Sequence, residues 1–190
     1  SKLMSILKVS RMGHPVLRKK VRPVPPAEIT APPIQRLIDD MTQTMLEYNG
    51  VGLAAPQVGV QKRFFVYDLG VGDGAQVLIN PVVTESDGEW EFYEGCLSVP
   101  GMHFDIVRPK QIHVTGIDLD GNEVSFEADE LLSRLIQHEL DHLDGVLLLE
   151  HLDDDQRKAA KKVLRERVMA GDDLTTPPAD EPKRSLFKFR

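Results

Sequence analysis

The sequence predicts one domain that combines α-helices with short β-strands. Its 190 residues, 41% of them hydrophobic, suit a single domain with one core. Apolar residues recur at helical spacing in residues 34–49 and 129–143. Short runs rich in valine, isoleucine and phenylalanine lie between glycine, asparagine and proline residues, as is typical of strands joined by turns. We expect the domain to span residues 1–171 and residues 172–190 to form a mobile, polar tail.

The first half of the chain is predicted to begin with an arm and a helix. Residues 5–33 contain six prolines, and this density excludes a long helix and favours an extended arm over the surface. The helix predicted at residues 34–49 ends at Gly50. Strands are predicted at residues 63–69, 77–83 and 90–93.

The second half is predicted to contain a hairpin followed by two helices. The hairpin covers residues 111–126 and turns at 120–122, with a β-bulge near 115–116 where the apolar alternation slips. Asp129 is a suitable N-cap for the helix at 129–143, and Gly145 suits the turn that follows it. The remaining elements are a short buried strand at 146–149 and a last helix at 156–170, capped by residues 153–155 and ended by Gly171.

Charge and composition exclude several classes of protein. The net charge of −7 argues against a general nucleic-acid-binding protein. No apolar run approaches the roughly 18 residues of a membrane span, and the start of the chain lacks a signal-peptide pattern. The single cysteine cannot form an internal disulfide, which fits a reducing compartment. We therefore expect a cytoplasmic protein without a membrane partner.

Residues 137–145 contain the motif His-Glu-x-x-His. In a helix, His138 and His142 lie on one face, one turn apart, so both imidazoles can hold one metal ion. Glu139 is one step around the helix and can act as general base on a water at that metal. Leu131 and Leu135 continue the same face, which predicts a metal site at the floor of a pocket. The alternative is a surface helix with two solvated histidines.

The residues alone leave the third metal ligand open. A catalytic site of this kind keeps three protein ligands and one open position. The longer HExxHxxGxxH motif of metzincin proteases fits at Gly145 but requires a histidine where Leu148 stands. Glu150 or Glu166 would complete a thermolysin-like site. Cys96 is the remaining candidate because a thiolate is a strong soft ligand, although a lone cysteine is more often a small buried hydrophobic residue.

Residues 50–57 are a second candidate functional segment. Two glycines and two alanines in eight residues allow another chain or a ligand to approach the backbone closely. The segment lacks the GK[ST] sequence and the glycine spacing of a phosphate-binding loop. Gln57 is its only long polar side chain and is therefore the candidate functional residue, unless the segment is an ordinary tight turn.

Three motifs together resemble those of bacterial peptide deformylases. They are residues 50–57 (Gly-Val-Gly-Leu-Ala-Ala-Pro-Gln), 94–98 (Glu-Gly-Cys-Leu-Ser) and 137–145 (Gln-His-Glu-Leu-Asp-His-Leu-Asp-Gly), in the family's order and at suitable spacing. Residues 13–18 also resemble the family's N-terminal arm, and the likeness extends over about residues 6–165. Each motif alone is weak or moderately specific, whereas the three together are highly specific.

The resemblance implies an α+β fold with mostly antiparallel sheets wrapped around a central metal-binding helix. It also implies a metallo-hydrolase that removes the N-formyl group from the N-terminal formylmethionine of newly synthesised proteins, releasing formate. N-formylmethionyl nascent peptides are then the partners. By the same resemblance the metal ligands are Cys96, His138 and His142. They would hold one divalent ion, Fe²⁺ in the native enzyme, with Zn²⁺, Ni²⁺ or Co²⁺ in purified protein.

The resemblance also assigns the reacting groups. Glu139 accepts a proton from the attacking water and returns it to the leaving amine. The side-chain amide of Gln57 and the backbone N–H of Leu97 stabilise the charge on the formyl oxygen. Arg108 is expected to pair with Glu94. The expected substrate-binding residues are Val51, Gly52, Phe92, Gly95, Leu131, Arg134 and Leu135, with Arg134 contributing its aliphatic stem and the two glycines their backbone.

The sequence leaves two alternative functions open and suggests one further binding partner. The alternatives are a zincin endopeptidase with Glu150 or Glu166 as the third ligand, and a catalytically inactive binding module with the same fold. The partner is the ribosome. Residues 183–190 carry four basic and three apolar residues and no acidic one, a composition that suits RNA phosphates and exposed bases. A solvated tail that binds nothing is the alternative for this segment.

Overall fold

The computed structural model describes residues 6–10, 14–96 and 99–171, without the side chains of residues 96, 99 and 100. In these ranges the α-helices are α1 (Pro26–Ile29), α2 (Pro32–Glu47), α3 (Glu130–Asp144) and α4 (Asp154–Met169). The strands are β1 (Gly52–Ala54), β2 (Phe64–Tyr67), β3 (Gln76–Asp87), β4 (Trp90–Cys96), β5 (Val99–Arg108), β6 (Gln111–Ile117) and β7 (Glu123–Asp129). Short 3₁₀ helices lie at Pro15–Arg18, Ala55–Val58 and Leu148–His151. Among the described helices, none is long and apolar enough to cross a bilayer.

The strands form two antiparallel sheets. Five strands pair in the order β1-β2-β3-β6-β7, and β4 pairs with β5 as a separate hairpin. Successive side chains of a strand point to opposite faces of the sheet, and β2 is apolar on both. Phe64 and Val66 pack in the core cluster that contains α2, whereas Phe65 packs in the cluster that contains α3. A helix therefore covers each face of the larger sheet, which confirms the predicted α+β class.

Helix α3 runs through the interior with most of its middle turns buried. The Asp129 carboxylate accepts a hydrogen bond from the backbone N–H of Glu130 at 3.0 Å, and Gly145 ends the helix with a φ of 72°. Both caps were predicted. The helix itself begins and ends one residue later than predicted. Leu135 and Leu143 are fully buried against the sheet. Burial of one such side chain contributes about 1.5–3 kcal/mol, so the sheet holds this helix firmly in place.

The N-terminal arm joins the end of α3 to β3. The backbone N–H of Val21 donates to the carbonyl of Leu143, at the end of α3, at 2.9 Å. The amide side chain of Asn80 bonds both backbone groups of Val24, at 2.7 Å and 2.9 Å. The arm is largely extended, as predicted, apart from the 3₁₀ turn at Pro15–Arg18 and helix α1. It thereby fixes the C-terminal end of α3 against β3.

The predicted bulge lies in the partner strand. β6 pairs with β7 without interruption through residues 115–116. The pairing of β3 with β6 has two register shifts, both with the extra residue in β3: three steps from Ile79 to Val82 match two steps in β6, and two steps from Val83 to Glu85 match one. Asn80 lies in the first of these with a φ of 51°. The predicted location in β6 was wrong. An interrupted alternation of apolar residues indicates an irregular strand pair, but it does not show which strand carries the extra residue.

The short strand predicted at residues 146–149 is also wrong. Residues Leu148–His151 form a 3₁₀ helix, and Glu150 accepts a hydrogen bond from the N–H of Leu147 at 2.8 Å. A buried apolar run of four residues does not distinguish a strand from one helical turn. Strand β5 was not predicted, because it contains Pro100 and Gly101, which are uncommon inside strands.

Candidate active site

The two histidines of the motif lie side by side on α3. His138 and His142 are 3% and 5% exposed, and their ring centroids are 5.1 Å apart. Burial, together with the positive charge of a protonated His138, lowers the pKa of His142 to about 3. The imidazole of His142 is therefore neutral at physiological pH, which is the form that binds a metal ion. The helical spacing thus gives the predicted pair of nitrogen ligands on one buried face.

Glu94 anchors His138 from the neighbouring hairpin. This carboxylate is fully buried, and its Oε1 lies 2.9 Å from Nδ1 of His138. Arg108 donates to both of its oxygens, at 2.7 Å and 2.9 Å, and Arg134 donates to Oε2. Burial alone would raise the pKa of Glu94, but the His138 hydrogen bond and the charge of Arg108 hold it well below its usual range. Because Nδ1 of His138 faces Glu94, Nε2 is the nitrogen directed to a metal.

The network continues from Arg108 towards the surface. Arg108 also donates to Oδ2 of Asp141 at 2.9 Å, and the same oxygen lies 2.7 Å from Nε2 of His151. Arg108 is 4% exposed, and the charges of Glu94 and Asp141 raise its pKa against the effect of burial. The predicted Glu94–Arg108 pair is therefore present. The sequence interpretation assigned no role to Asp141 or His151, although Asp141 lies inside the motif.

Arg134 is fixed by its guanidinium group. It is 1% exposed, and besides Glu94 it donates to the backbone carbonyl of Trp90. Its guanidinium carbon lies 5.3 Å from the ring centre of Trp90 and 5.9 Å from that of Phe92. These two rings stack on each other at 4.6 Å. The predicted contribution of the aliphatic stem therefore omits the main interaction, in which the charged end joins α3 to β4.

Glu139 places a carboxylate in the interior beside the two histidines. It is fully buried, and neither carboxylate oxygen has a hydrogen-bond partner in the described part of the chain. Burial raises the pKa of this carboxyl well above its usual value. A Cβ atom at Gly52 would lie 2.7 Å from Oε1 of Glu139, so only glycine leaves room there. A buried carboxylate of this kind requires a polar or charged neighbour, such as water at a metal ion.

Gln57 is oriented by its own loop. It is fully buried in the 3₁₀ helix Ala55–Val58, and its side-chain oxygen accepts a hydrogen bond from the N–H of Ala54 at 3.0 Å. Its backbone carbonyl accepts from Ser10 of the arm at 2.6 Å. With the side-chain oxygen used in this way, the NH₂ group is the end that can donate to a substrate.

The remaining predicted site residues that the structure describes lie on β4, on α3 and in the segment before β1. Leu135 is fully buried on α3, whereas Val51, Phe92 and Leu131 are partly exposed, and their predicted role in substrate binding stays a prediction. In the β4–β5 hairpin, a Cβ atom at Gly95 would lie 2.3 Å from the ring of His103, so the glycine is required for this close approach. The side chain of Cys96 and the whole of Leu97 lie outside the described residues, so their predicted roles stay predictions.

The described residues contain no complete metal site. No group of three or more His, Cys, Asp or Glu residues is arranged to hold a metal ion in residues 6–10, 14–96 and 99–171. The side chain of Cys96 is not among the described side chains. Glu150 and Glu166 therefore do not join the two histidines. Glu150 instead accepts the hydrogen bond of Leu147 described above. The zincin endopeptidase alternative thus lacks its third ligand.

Comparison with known proteins identifies the family. A family model described as polypeptide deformylase matches residues 6–158. The chain belongs to the polypeptide deformylase family. A peptide deformylase of Carboxydothermus hydrogenoformans is 47% identical over 155 residues, which cover 82% of this chain and 99% of that protein. Another, of Agathobacter rectalis, is 51% identical over 150 residues, covering 79% and 92%.

Solved structures agree with this assignment. A crystal structure of a peptide deformylase from Legionella pneumophila superposes with a TM-score of 0.80 at 37% identity, covering 89% of this chain and 100% of that one. Membership of the polypeptide deformylase family confirms the predicted activity. The reaction is the hydrolytic removal of the N-formyl group from N-formylmethionyl peptides by a metallo-hydrolase.

Proposed function

We propose that Cys96, His138 and His142 hold one divalent metal ion and that Glu139, Gln57 and Leu97 carry the deformylation around it. The observation that supports this most directly is the buried carboxylate of Glu139, without a hydrogen-bond partner in the described residues, beside two buried histidines. The donor set of one thiolate and two imidazoles fits Fe²⁺, and it also accepts Zn²⁺, Ni²⁺ or Co²⁺. When bound, the ion supplies Lewis acidity that brings the pKa of a water molecule near neutrality.

Glu139 moves the proton in both halves of the reaction. As a carboxylate it takes a proton from the attacking water while the water oxygen bonds to the formyl carbon. It then gives this proton to the nitrogen of methionine as the carbon–nitrogen bond breaks, which leaves formate and a free amine. Burial raises the pKa of this carboxyl above its usual value, and a raised pKa favours the step in which the group holds the proton before donating it.

In this proposal Gln57 and Leu97 stabilise the developing negative charge on the formyl oxygen. The Ala54 N–H donates to the side-chain oxygen of Gln57 and so fixes the orientation of the amide, whose NH₂ group is the donor in this proposal. The backbone N–H of Leu97 is the second donor in this proposal. Removing one donor of this type usually costs about 2.7–4 kcal/mol in the transition state.

The methionine side chain would bind against an apolar wall, and the peptide backbone would bind along two strands. Val51, Phe92, Leu131 and Leu135 form the apolar wall, and Arg134 holds Phe92 in place through its guanidinium group. The backbones of Gly52 and Gly95 lie at the edges of β1 and β4, where an extended peptide can pair with them as an added strand. Recognition by backbone leaves the downstream side chains unrestricted.

The activity and the ligand set are tested separately. Ferrous protein under anaerobic conditions is expected to release formate from formyl-Met-Ala-Ser and to leave the acetylated analogue and casein intact. Casein cleavage would instead favour the endopeptidase. Cys96→Ser should lose most of the metal, because a hydroxyl is a poor substitute for a thiolate. A serine variant that keeps stoichiometric metal at neutral pH would remove Cys96 from the ligand set.

The proposal also covers the cellular compartment and the C-terminal segment. We place the enzyme in the cytoplasm, where nascent chains and a reduced cysteine coexist. Residues 1–171 would form the catalytic domain, and residues 183–190, with four basic and three apolar residues, would contact the ribosome. Deleting residues 172–190 should weaken cosedimentation with ribosomes in a salt-sensitive way and leave turnover of a free formyl-peptide unchanged. Unchanged cosedimentation would contradict the ribosome contact.

A further inference from the structure

Two neighbouring cavities form a cleft at one end of the five-stranded sheet. The first, of about 580 Å³, lies between the β2–β3 loop, the β6–β7 turn and α3. The second, of about 330 Å³, lies between α2 and the same two connections. Both touch Gln76, Val77 and Asp118, and together they are called the sheet-end cleft. Its lining contains no residue of the proposed catalytic, metal-binding or substrate-binding set.

The lining of the sheet-end cleft combines negative charge with apolar surface. It contains no lysine, arginine or histidine among the described residues. Val71 projects at its edge with 74% of its surface exposed, and Phe126 and Leu132 form part of the floor. This combination suits a ligand that carries positive charges beside large apolar side chains. The aspartates of the lining are Asp39, Asp68, Asp73, Asp118 and Asp120.

Three of these five carboxylates are not neutralised. Asp68 and Asp118 serve their own loops, since Asp68 accepts from the N–H of Gly70 at 2.8 Å and Asp118 accepts from two N–H groups of its turn. The carboxylates of Asp39, Asp73 and Asp120 are exposed and make no hydrogen bond or ion pair with any other described residue. Their mutual repulsion would be relieved by a cationic ligand.

The chain itself contains a segment with the complementary chemistry. Residues 183–190, outside the described residues, carry four basic residues together with Leu186, Phe187 and Phe189, and no acidic residue. The other 182 residues hold 19 of the 23 Lys and Arg and all 30 Asp and Glu, a net charge of −11. We propose that residues 183–190 dock in the sheet-end cleft of the same chain. The basic side chains would pair with the aspartates while the phenylalanines cover the apolar floor.

The length of the connection permits this docking. Residues 172–182 connect the described domain to the segment, and 11 residues span up to about 36 Å when extended. A compact domain of this size is about 40 Å across, so the extended connection can cover more than half of the roughly 63 Å that separate opposite points along its surface. A flexible tether of this length keeps its end at a millimolar effective concentration, so a weak contact is sufficient for occupancy.

Docking would also connect the tail to the substrate-binding strand. The N–H of Asp68, in the cleft wall, donates to the carbonyl of Val51 at 2.8 Å, and Tyr67 pairs with Gly52. The cleft is thus one strand away from two proposed substrate-binding residues. A docked segment is not available to RNA, so the cleft and the ribosome would compete for the same residues.

Photo-crosslinking in the full-length chain tests the docking. Phe187 is replaced with p-benzoylphenylalanine, the protein is irradiated at low concentration, and crosslinked peptides are identified by mass spectrometry. We expect crosslinks within one chain to residues 67–78 and 118–126. The triple variant Asp39→Lys, Asp73→Lys, Asp120→Lys should reduce their yield about tenfold or more. Asp87→Lys with Glu89→Lys, exposed acids outside the lining, is the control and should not change it.

A charge swap separates docking from damage to the loops. Changing the four basic residues of the segment to glutamate should abolish the crosslinks, and combining this change with the triple lysine variant should restore them. Crosslinks spread over the surface, crosslinks whose yield rises with protein concentration, or failure of the combined variant to restore them would each overturn the proposal.

Discussion

The buried carboxylate of Glu94 is the residue whose replacement tests the site most directly. Glu94→Gln keeps the size of the side chain and removes its negative charge. Arg108 retains the charge of Asp141 at 2.9 Å. Arg134 instead loses its carboxylate partner and keeps the neutral carbonyl of Trp90 and the rings of Trp90 and Phe92. Both guanidinium groups are less than 5% exposed, so the variant leaves positive charge in the interior without its carboxylate. Breaking a buried ion pair in this way costs about 3–5 kcal/mol, and we expect a loss of this size in the free energy of unfolding.

The same replacement should weaken metal binding, because His138 loses the charged partner that orients its Nδ1. Loss of such a partner typically lowers metal affinity about 10–100-fold. Urea unfolding measures the first effect and competition with a chelator measures the second. Glu89→Gln, an exposed glutamate just before the same strand, is the control and should change neither quantity. A Glu94→Gln protein within about 1 kcal/mol of the parent and with unchanged metal affinity would refute the reasoning, because such a carboxylate would carry no net interaction.

Three further predictions concern the neighbouring residues and the metal. Gly52→Ala should displace Glu139, because Oε1 would lie 2.7 Å from the new Cβ atom. The variant should have a sharply lower kcat and a nearly unchanged unfolding temperature, and an active variant would contradict the contact. Glu139→Ala should retain metal and lose turnover, measured by metal content and formate release; near-normal turnover would exclude its acid–base role. Iron-loaded protein should lose activity in air faster than zinc- or nickel-loaded protein, because iron and thiolate both oxidise; equal decay would exclude metal oxidation as the cause.

The parts of the site that follow local spacing were predictable from the sequence. His138 and His142 share a face because residues four apart do so in any helix, and Asp129 and Gly145 mark the ends of that helix by their own side-chain chemistry. The same reasoning placed Glu139 next to the pair. These predictions depend on residues within two helical turns of each other, which is the range over which periodicity carries information.

The network around Glu94 depends on residues that are distant in the sequence. Its partners Arg108, Arg134 and His138 follow it by 14, 40 and 44 residues, and no periodicity connects such positions. The buried guanidinium of Arg134 was the least predictable part, because arginine on a helix is usually solvated. Strand β5 was missed for a related reason, since pairing with β4 overrides the poor strand preference of Pro100 and Gly101.

The contact between the N-terminal arm and the end of α3 has a consequence for the order of events during synthesis. Val21 bonds the carbonyl of Leu143, which leaves the ribosome 122 residues later. At about 5–20 residues per second this delay is about 6–24 s. Phe65 follows Val21 by 44 residues and lacks the helix that covers it for the rest of that interval, while the arm has no partner at the end of α3. The nascent chain therefore exposes apolar sheet surface for seconds, a period in which a molecular chaperone has time to bind.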